Sequence, residues 1–130
     1  MNTRLLSRKA PLWSTVLSVV LIGFASTAQA QEVMRLVRFT AAGAEQQQAA
    51  IKLVDTEINK LYLAAKGFKS VKFYTDTKTL ETGSVTVWAS RTDVDAFLNS
   101  PGYKPIAGKL APLMKGSMTS YIVEVHQPKK

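Results

Sequence analysis

The sequence predicts an α+β fold, a single antiparallel sheet carrying helices on one face in the β-α-β-β-α-β order of the ferredoxin-like motif. Three observations lead there. Residues 1–30 read as a leader, which leaves residues 31–130 for one domain. Within those residues hydropathy follows a period of two in the strand-like stretches and of three to four in the helical ones. The chain is 46% apolar and 20% charged, the composition of a globular domain and not of a disordered one.

The leader is read from its three parts. Arg4, Arg8 and Lys9 precede an apolar run over residues 12–24, broken only by Ser14, Thr15, Ser18 and Gly23, and Ala28-Gln29-Ala30 closes it. This is the pattern of a secretory signal peptide with cleavage after Ala30, and it places the mature chain in the periplasm or outside the cell. A membrane span needs about 20 apolar residues, more than this run offers, so no stable span is expected after cleavage. The whole chain carries 17 basic and 9 acidic residues, net +8. Cleavage would remove three basic residues and no acidic one, leaving 14 against 9, net +5. Apart from the terminal pair Lys129-Lys130, the remaining lysines are scattered singly, which fits a solvated surface and not a nucleic-acid footprint. An anionic envelope surface is the one weak partner such a charge suggests. The absence of cysteine excludes disulfides, thiolate metal sites and a cysteine nucleophile.

Residues 33–40 are β-branched and apolar with polar interruptions, a first strand. Over 44–66 apolar side chains recur at helical steps (Ala50, Leu53, Val54, Ile58, Leu61, Tyr62), while Gln46, Gln47, Gln48, Lys52 and Asp55 fall elsewhere. This predicts an amphipathic helix, closed by Gly67 in the left-handed conformation. Residues 68–75 alternate as a second strand, 76–83 form a polar hairpin loop and 84–90 a third strand. Thr92 is the predicted N-cap of a short helix, with Asp95 three residues on, and Ser100-Pro101-Gly102 breaks it. A second helical piece covers 104–114, with Pro105 in its first turn and Gly116 closing it, before a fourth strand over 117–126.

The strand phases put Val71, Phe73, Val85 and Val87 on the helix side. The other side then holds Trp88, Tyr74, Lys72, Thr86 and Glu124, a half-apolar face that a second subunit's sheet, a ligand, or both would cover. Those five are the candidate ligand-binding residues: Trp88 and Tyr74 offer rings and polar tips, and Lys72 a cation, to an aromatic, anionic ligand. Glu124 is also placed to pair with Arg35 or Arg38, a choice the ambiguous faces of the first strand leave open. His126 is the only histidine, and with Trp88 it is the candidate for catalysis, as a proton shuttle or haem ligand. The structural readings are the favoured ones: Trp88 as core, and His126 as a solvent-facing residue near a strand end. One histidine, no cysteine and no acidic cluster at ligand spacing predict no metal site. Nucleotide-binding and common hydrolase motifs are absent from the sequence.

The stretch Val85-Thr86-Val87-Trp88-Ala89-Ser90-Arg91-Thr92-Asp93-Val94-Asp95-Ala96-Phe97, followed by Ser100-Pro101 and Tyr103, resembles the antibiotic-biosynthesis-monooxygenase-like (ABM) branch of the dimeric α+β barrels. The resemblance covers residues 32–126 as topology and 88–103 as motif. It implies a homodimer of ferredoxin-like subunits packed sheet to sheet, with a cleft between sheet and helices in each. It also implies either cofactor-independent oxygenation of polycyclic phenols or haem degradation, although many members have no known activity. Enzymes of this branch combine a strand-three Trp, matched by Trp88, with an Asn in strand one or a His in helix two; this sequence has neither. The readings converge on an exported, ABM-like dimer binding a small aromatic ligand without a cofactor. It would act as a monooxygenase or, alternatively, as a non-catalytic binding or interaction protein, with haem binding through His126 as a third reading.

Overall fold

Strand β1 (Val33–Ala41) has the most regular alternation in the chain: Val33, Arg35, Val37, Phe39 and Ala41 are buried, and the residues between them are not. That phase defines the two faces of the sheet. The computed structural model describes residues 30–130, so the predicted leader lies outside the described residues except for Ala30. Strands β2 (Phe68–Thr75), β3 (Glu81–Trp88) and β4 (Met114–Glu124) complete a four-stranded antiparallel sheet in the order β2-β3-β1-β4. This is the predicted α+β, ferredoxin-like arrangement. The helices lie on one face: α1 (Ala44–Leu53), a π-helical turn (Val54–Ile58) and α2 (Asn59–Ala64) form one continuous rod, and α3 (Arg91–Leu98) and α4 (Lys104–Leu110) follow β3. Tyr62, Phe97, Ile106 and Leu110 from these helices close on Trp88 and Val33 to make the core.

Several local features differ from the predicted ones, each for a visible reason. Strand β3 starts at Glu81, because Asp76 closes a tight turn by accepting the N–H groups of Lys78 and Thr79 at 2.8 and 3.4 Å. Gln47, assigned to the polar side of the helix, is buried; its amide donates to the carbonyls of Asp76 and Glu81 at 3.1 and 3.4 Å and to Thr82 Oγ1 at 3.3 Å. It thereby ties α1 to the hairpin. The cap of α3 is Ser90 and not Thr92: its Oγ accepts from the Asp93 N–H at 3.2 Å and donates to Asp93 Oδ2 at 2.9 Å. Gly67 has the expected positive φ of 80°, but in the turn beyond α2. Gly116, φ 79°, sits in β4 where its register against β1 shifts, and α4 ends instead in a 3₁₀ turn over Ala111–Leu113.

The largest correction concerns the faces of β3. Thr82, Ser84, Thr86 and Trp88 point toward the helices, in register with Phe39, Val37, Arg35 and Val33, whereas Val85 and Val87 point away. The cause is Trp88, which is fully buried and whose indole N–H donates to Thr86 Oγ1 at 2.8 Å. The Thr86 hydroxyl in turn donates to the Arg35 carbonyl at 3.3 Å. Tyr62 packs against Trp88, Phe97 and Phe68 with ring centroids 6.0, 4.9 and 5.5 Å apart. Each such pair contributes about 0.5–1.5 kcal/mol beyond its buried area, which outweighs the gain from turning two half-buried valines inward.

The capping geometry gives a direct comparison. Ser90→Ala is expected to lower stability by about 1 kcal/mol, and Thr92→Ala to change it by less than about 0.5 kcal/mol, in urea unfolding followed by circular dichroism.

Candidate functional site

Between the sheet and the helices lies a cavity of about 40 Å³. Val37, Phe39, Val54, Ile58 and Ile106 supply apolar walls, and Arg35, Tyr62, Ser84 and Tyr103 bring polar groups to it. The π-helical turn belongs to this wall, since its first and last residues, Val54 and Ile58, both line the cavity. Within the turn Thr56 Oγ1 donates to the Lys52 carbonyl at 2.8 Å, diverting a backbone acceptor at the place where the helix widens. Such turns recur at functional sites.

Arg35 is the group that stands out. Its place in β1, in phase with Val33, Val37 and Phe39, sends a cationic side chain into the core side of the sheet, where it is 3% exposed. Its Nε donates to Ser120 Oγ at 3.1 Å and its Nη2 to the Tyr103 hydroxyl at 3.3 Å, with the guanidinium 5.8 Å from the Tyr103 ring centre. Those contacts use two of the five N–H donors of a guanidinium. Among the described residues the ion pairs are Lys69–Glu32 and Lys109–Glu57, both between partly exposed groups, so Arg35 has no carboxylate. A buried charge without a counter-charge is costly, and this one faces a cavity.

Tyr62 stands beside it. Burial pushes the Tyr62 phenol above its ordinary pKa, against the opposing pull of Arg35, with Tyr103 adding to the rise and the Ser84 hydroxyl opposing it. Tyr62 therefore stays a neutral O–H donor at physiological pH. No carboxylate or imidazole lines the cavity. The site is consequently a narrow, mostly apolar slot ending in one cation and several hydroxyl groups, suited to the oxyanion of an aromatic ligand.

The residues singled out from sequence are not brought together. Trp88 and Thr86 lie on the helix face, but Trp88 spends its N–H on Thr86 and neither residue lines the cavity. Lys72 and Tyr74 stand opposite Val85 and Gly83 on the other face of the sheet, and Tyr74 donates to Glu81 Oε1 at 3.2 Å. Glu124, paired in register with Val33 near the end of the edge strand, is exposed and contacts neither Arg35 nor Arg38 as an ion pair. His126 is exposed beyond β4 and away from the cavity, and with no imidazole or thiolate in the cavity wall its residues do not fit haem. Among the described residues no cluster of acidic or histidine side chains is built to hold a metal, and no helix is long and apolar enough to cross a membrane. Arg35 itself had entered only as a salt-bridge partner. What marks it in the structure is a charge in phase with the buried Val33, Val37 and Phe39.

No protein-family model matches the sequence, and no curated protein matches it. Solved structures do match. SnoaB, a cofactor-independent oxygenase from Streptomyces nogalater, aligns with a TM-score of 0.62 at 21% identity, over 76% of this chain and 97% of its own. The ActVA-Orf6 monooxygenase of Streptomyces coelicolor, in complex with nanaomycin D, aligns with a TM-score of 0.60 at 15% identity over 77% and 92%. A protein from Nitrosomonas europaea, provisionally described as an antibiotic biosynthesis monooxygenase, aligns with a TM-score of 0.66 at 12% identity over 78% and 97%. This chain has the ferredoxin-like α+β fold of these ABM-like proteins.

The environment of Tyr62 has a consequence in alkali. A phenol whose folded-state pKa lies above its unfolded value near 10.0 favours the folded state in full below pH 10, and loses that contribution as pH rises through the folded-state value. Urea midpoints measured from pH 9 upward are expected to fall more steeply above pH 10 for the wild type than for Tyr62→Phe.

Proposed function

We propose that this protein is an exported, cofactor-independent oxygenase of the ABM type, acting on a small phenolic or enolic aromatic whose oxyanion sits at Arg35. The observation that carries this reading is a buried guanidinium without a carboxylate, facing a cavity in a fold shared with oxygenases. Arg35 stabilises the ionised ligand, and Tyr62 and Tyr103 supply hydroxyl groups to the same oxygen. With no carboxylate or imidazole in the wall, the proton leaves to solvent, so the substrate must be acidic enough to ionise without a positioned base. The electron-rich anion then reacts with dioxygen in a water-poor slot. For an anthrone-type substrate the ring CH₂ becomes C=O: one oxygen atom remains in the product and the other leaves as water with the two hydrogens removed.

The lack of a general base also favours a second reading, in which the same slot holds an aromatic anion without turning it over. In either case the open face of the sheet needs a cover. It carries Met34, Leu36, Val85 and Val87 together with Tyr121 and Val123, which are 56% and 43% exposed. A second copy packed sheet to sheet would bury it, and this supports a homodimer.

The nitrophenols are suitable probes, because they quench tryptophan and their colour reports ionisation. In the cleaved chain Trp88 is the only tryptophan, and it packs against Tyr62 of the cavity wall. 4-Nitrophenol is expected to quench it saturably and to ionise at lower pH when bound. Arg35→Met should abolish both effects while leaving the protein as stable or about 1 kcal/mol more stable, since it removes an unpaired buried charge. Oxygen uptake with anthrone that disappears in Arg35→Met supports the oxygenase, whereas saturable quenching with no oxygen uptake supports the binder. Unchanged probe binding in Arg35→Met would sink both. Light scattering of the cleaved chain is expected to give twice the mass of one copy, and the mass of a single copy would overturn the dimer.

A further inference from the structure

The cavity beside Arg35 is too small for the ligand that its chemistry suits. Its volume is about 40 Å³, whereas an apolar cavity that takes up benzene is about 150 Å³. Next to it, on the surface, runs an open groove of about 230 Å³. The two spaces share Val54 of the π-helical turn, Phe73 of β2, and Thr82 and Gly83 of β3, so they adjoin across these residues. Joined, they approach the lower end of the range of small-molecule pockets, about 300 Å³.

Phe73 is the one aromatic ring among those shared residues. It points to the helix side, opposite Ser84, yet it is 37% exposed and belongs to an edge strand with one neighbour. Its contact with Tyr62, at 6.2 Å and tilted by 44°, is the longest of the aromatic contacts Tyr62 makes. Phe68, Trp88 and Phe97 are fixed by closer partners, but one rotamer change would carry the Phe73 ring into solvent at little packing cost.

We propose that Phe73 is the specificity-determining gate of the site, swinging outward to admit planar phenols whose oxygen reaches Arg35 while their rings fill the groove it vacates. This rests on the reading of the Arg35 cavity as a ligand site, and it assigns ring size, not charge, to Phe73. A one-ring phenol needs a small opening; a two-ring phenol needs Phe73 fully displaced.

Stopped-flow quenching of Trp88 in the cleaved chain, with 4-nitrophenol and 4-nitro-1-naphthol, tests this. Phe73→Ala is expected to speed association of the two-ring probe about 10-fold and of the one-ring probe by less than about 3-fold. Phe73→Leu, which keeps an apolar contact on Tyr62, should lie between wild type and Phe73→Ala, so that a folding defect in the alanine variant does not decide the result. If both probes bind and lose binding in Arg35→Met, but their association rates are the same with Ala, Leu and Phe at position 73, the gate is overturned and the Arg35 site stands. If neither probe binds the wild type or Phe73→Ala, both fall together.

Discussion

A buried indole N–H has to meet an acceptor, and in this protein that requirement sets the phase of the two central strands. Trp88 is wholly enclosed and bonds to Thr86, two residues back on the same strand. Such a bond needs both side chains on one face, and Thr86 then bonds to the backbone of Arg35 on β1. Leaving the N–H unpaired would cost about 1–3 kcal/mol, comparable with what the outward valines forgo. From this phase follow a row of hydroxyl groups beneath the helices and an apolar open face made by Val85 and Val87. The Ser84 hydroxyl at the cavity and the outward Val85 and Val87 both follow from this phase.

The same strand pair places Arg35 where no folding requirement asks for it. Ser120 and Tyr103 hold the guanidinium in position, and its aromatic neighbour accepts part of its charge. None of these partners neutralises it. A domain of this size has a modest core to draw on, so a permanently buried cation is a cost that an apolar residue would avoid. Its orientation into a slot without acidic groups matches the demand of a ligand that brings its own negative charge.

Fold class, element order and the antiparallel topology were legible because hydropathy period and turn residues agree along most of the chain. The phase of β3 was not. Periodicity reports that residues alternate, and the side to which each set turns is decided by the partner strand. Here hydroxyl groups point inward against the hydropathy pattern, because Trp88 and Gln47 use two of them as acceptors. That inversion moved Trp88 and Thr86 away from Lys72 and Tyr74, and with them the expected site. Glu124 and His126 were chosen for their chemistry, and nothing local in the sequence could show that both are exposed and remote from the cavity. Arg35 was not separable from Arg38 by pattern, since Met34 and Leu36 make the alternate phase of the strand apolar as well; only the burial of Val33, Val37 and Phe39 distinguishes them. The cap at Ser90 was displaced by two residues for a simpler reason: Ser90-Asp93 and Thr92-Asp95 have the same spacing, and helix register alone distinguishes them.

The two edges of the sheet are built differently from its face. Lys69 and Lys72 stand on β2 and Lys115 on β4, and both edge strands have a register shift, between Phe68 and Ser70 and against Arg38 and Thr40 of β1. Charged, irregular edges are poor templates for an incoming strand. Growth of the sheet by hydrogen bonding from copy to copy, the route to fibrils, is therefore disfavoured at both ends. Association of two copies through the open face, as proposed above, would consume that face and stop at two, so a chain with no cysteine to lock it could expose an apolar surface during assembly without seeding a polymer.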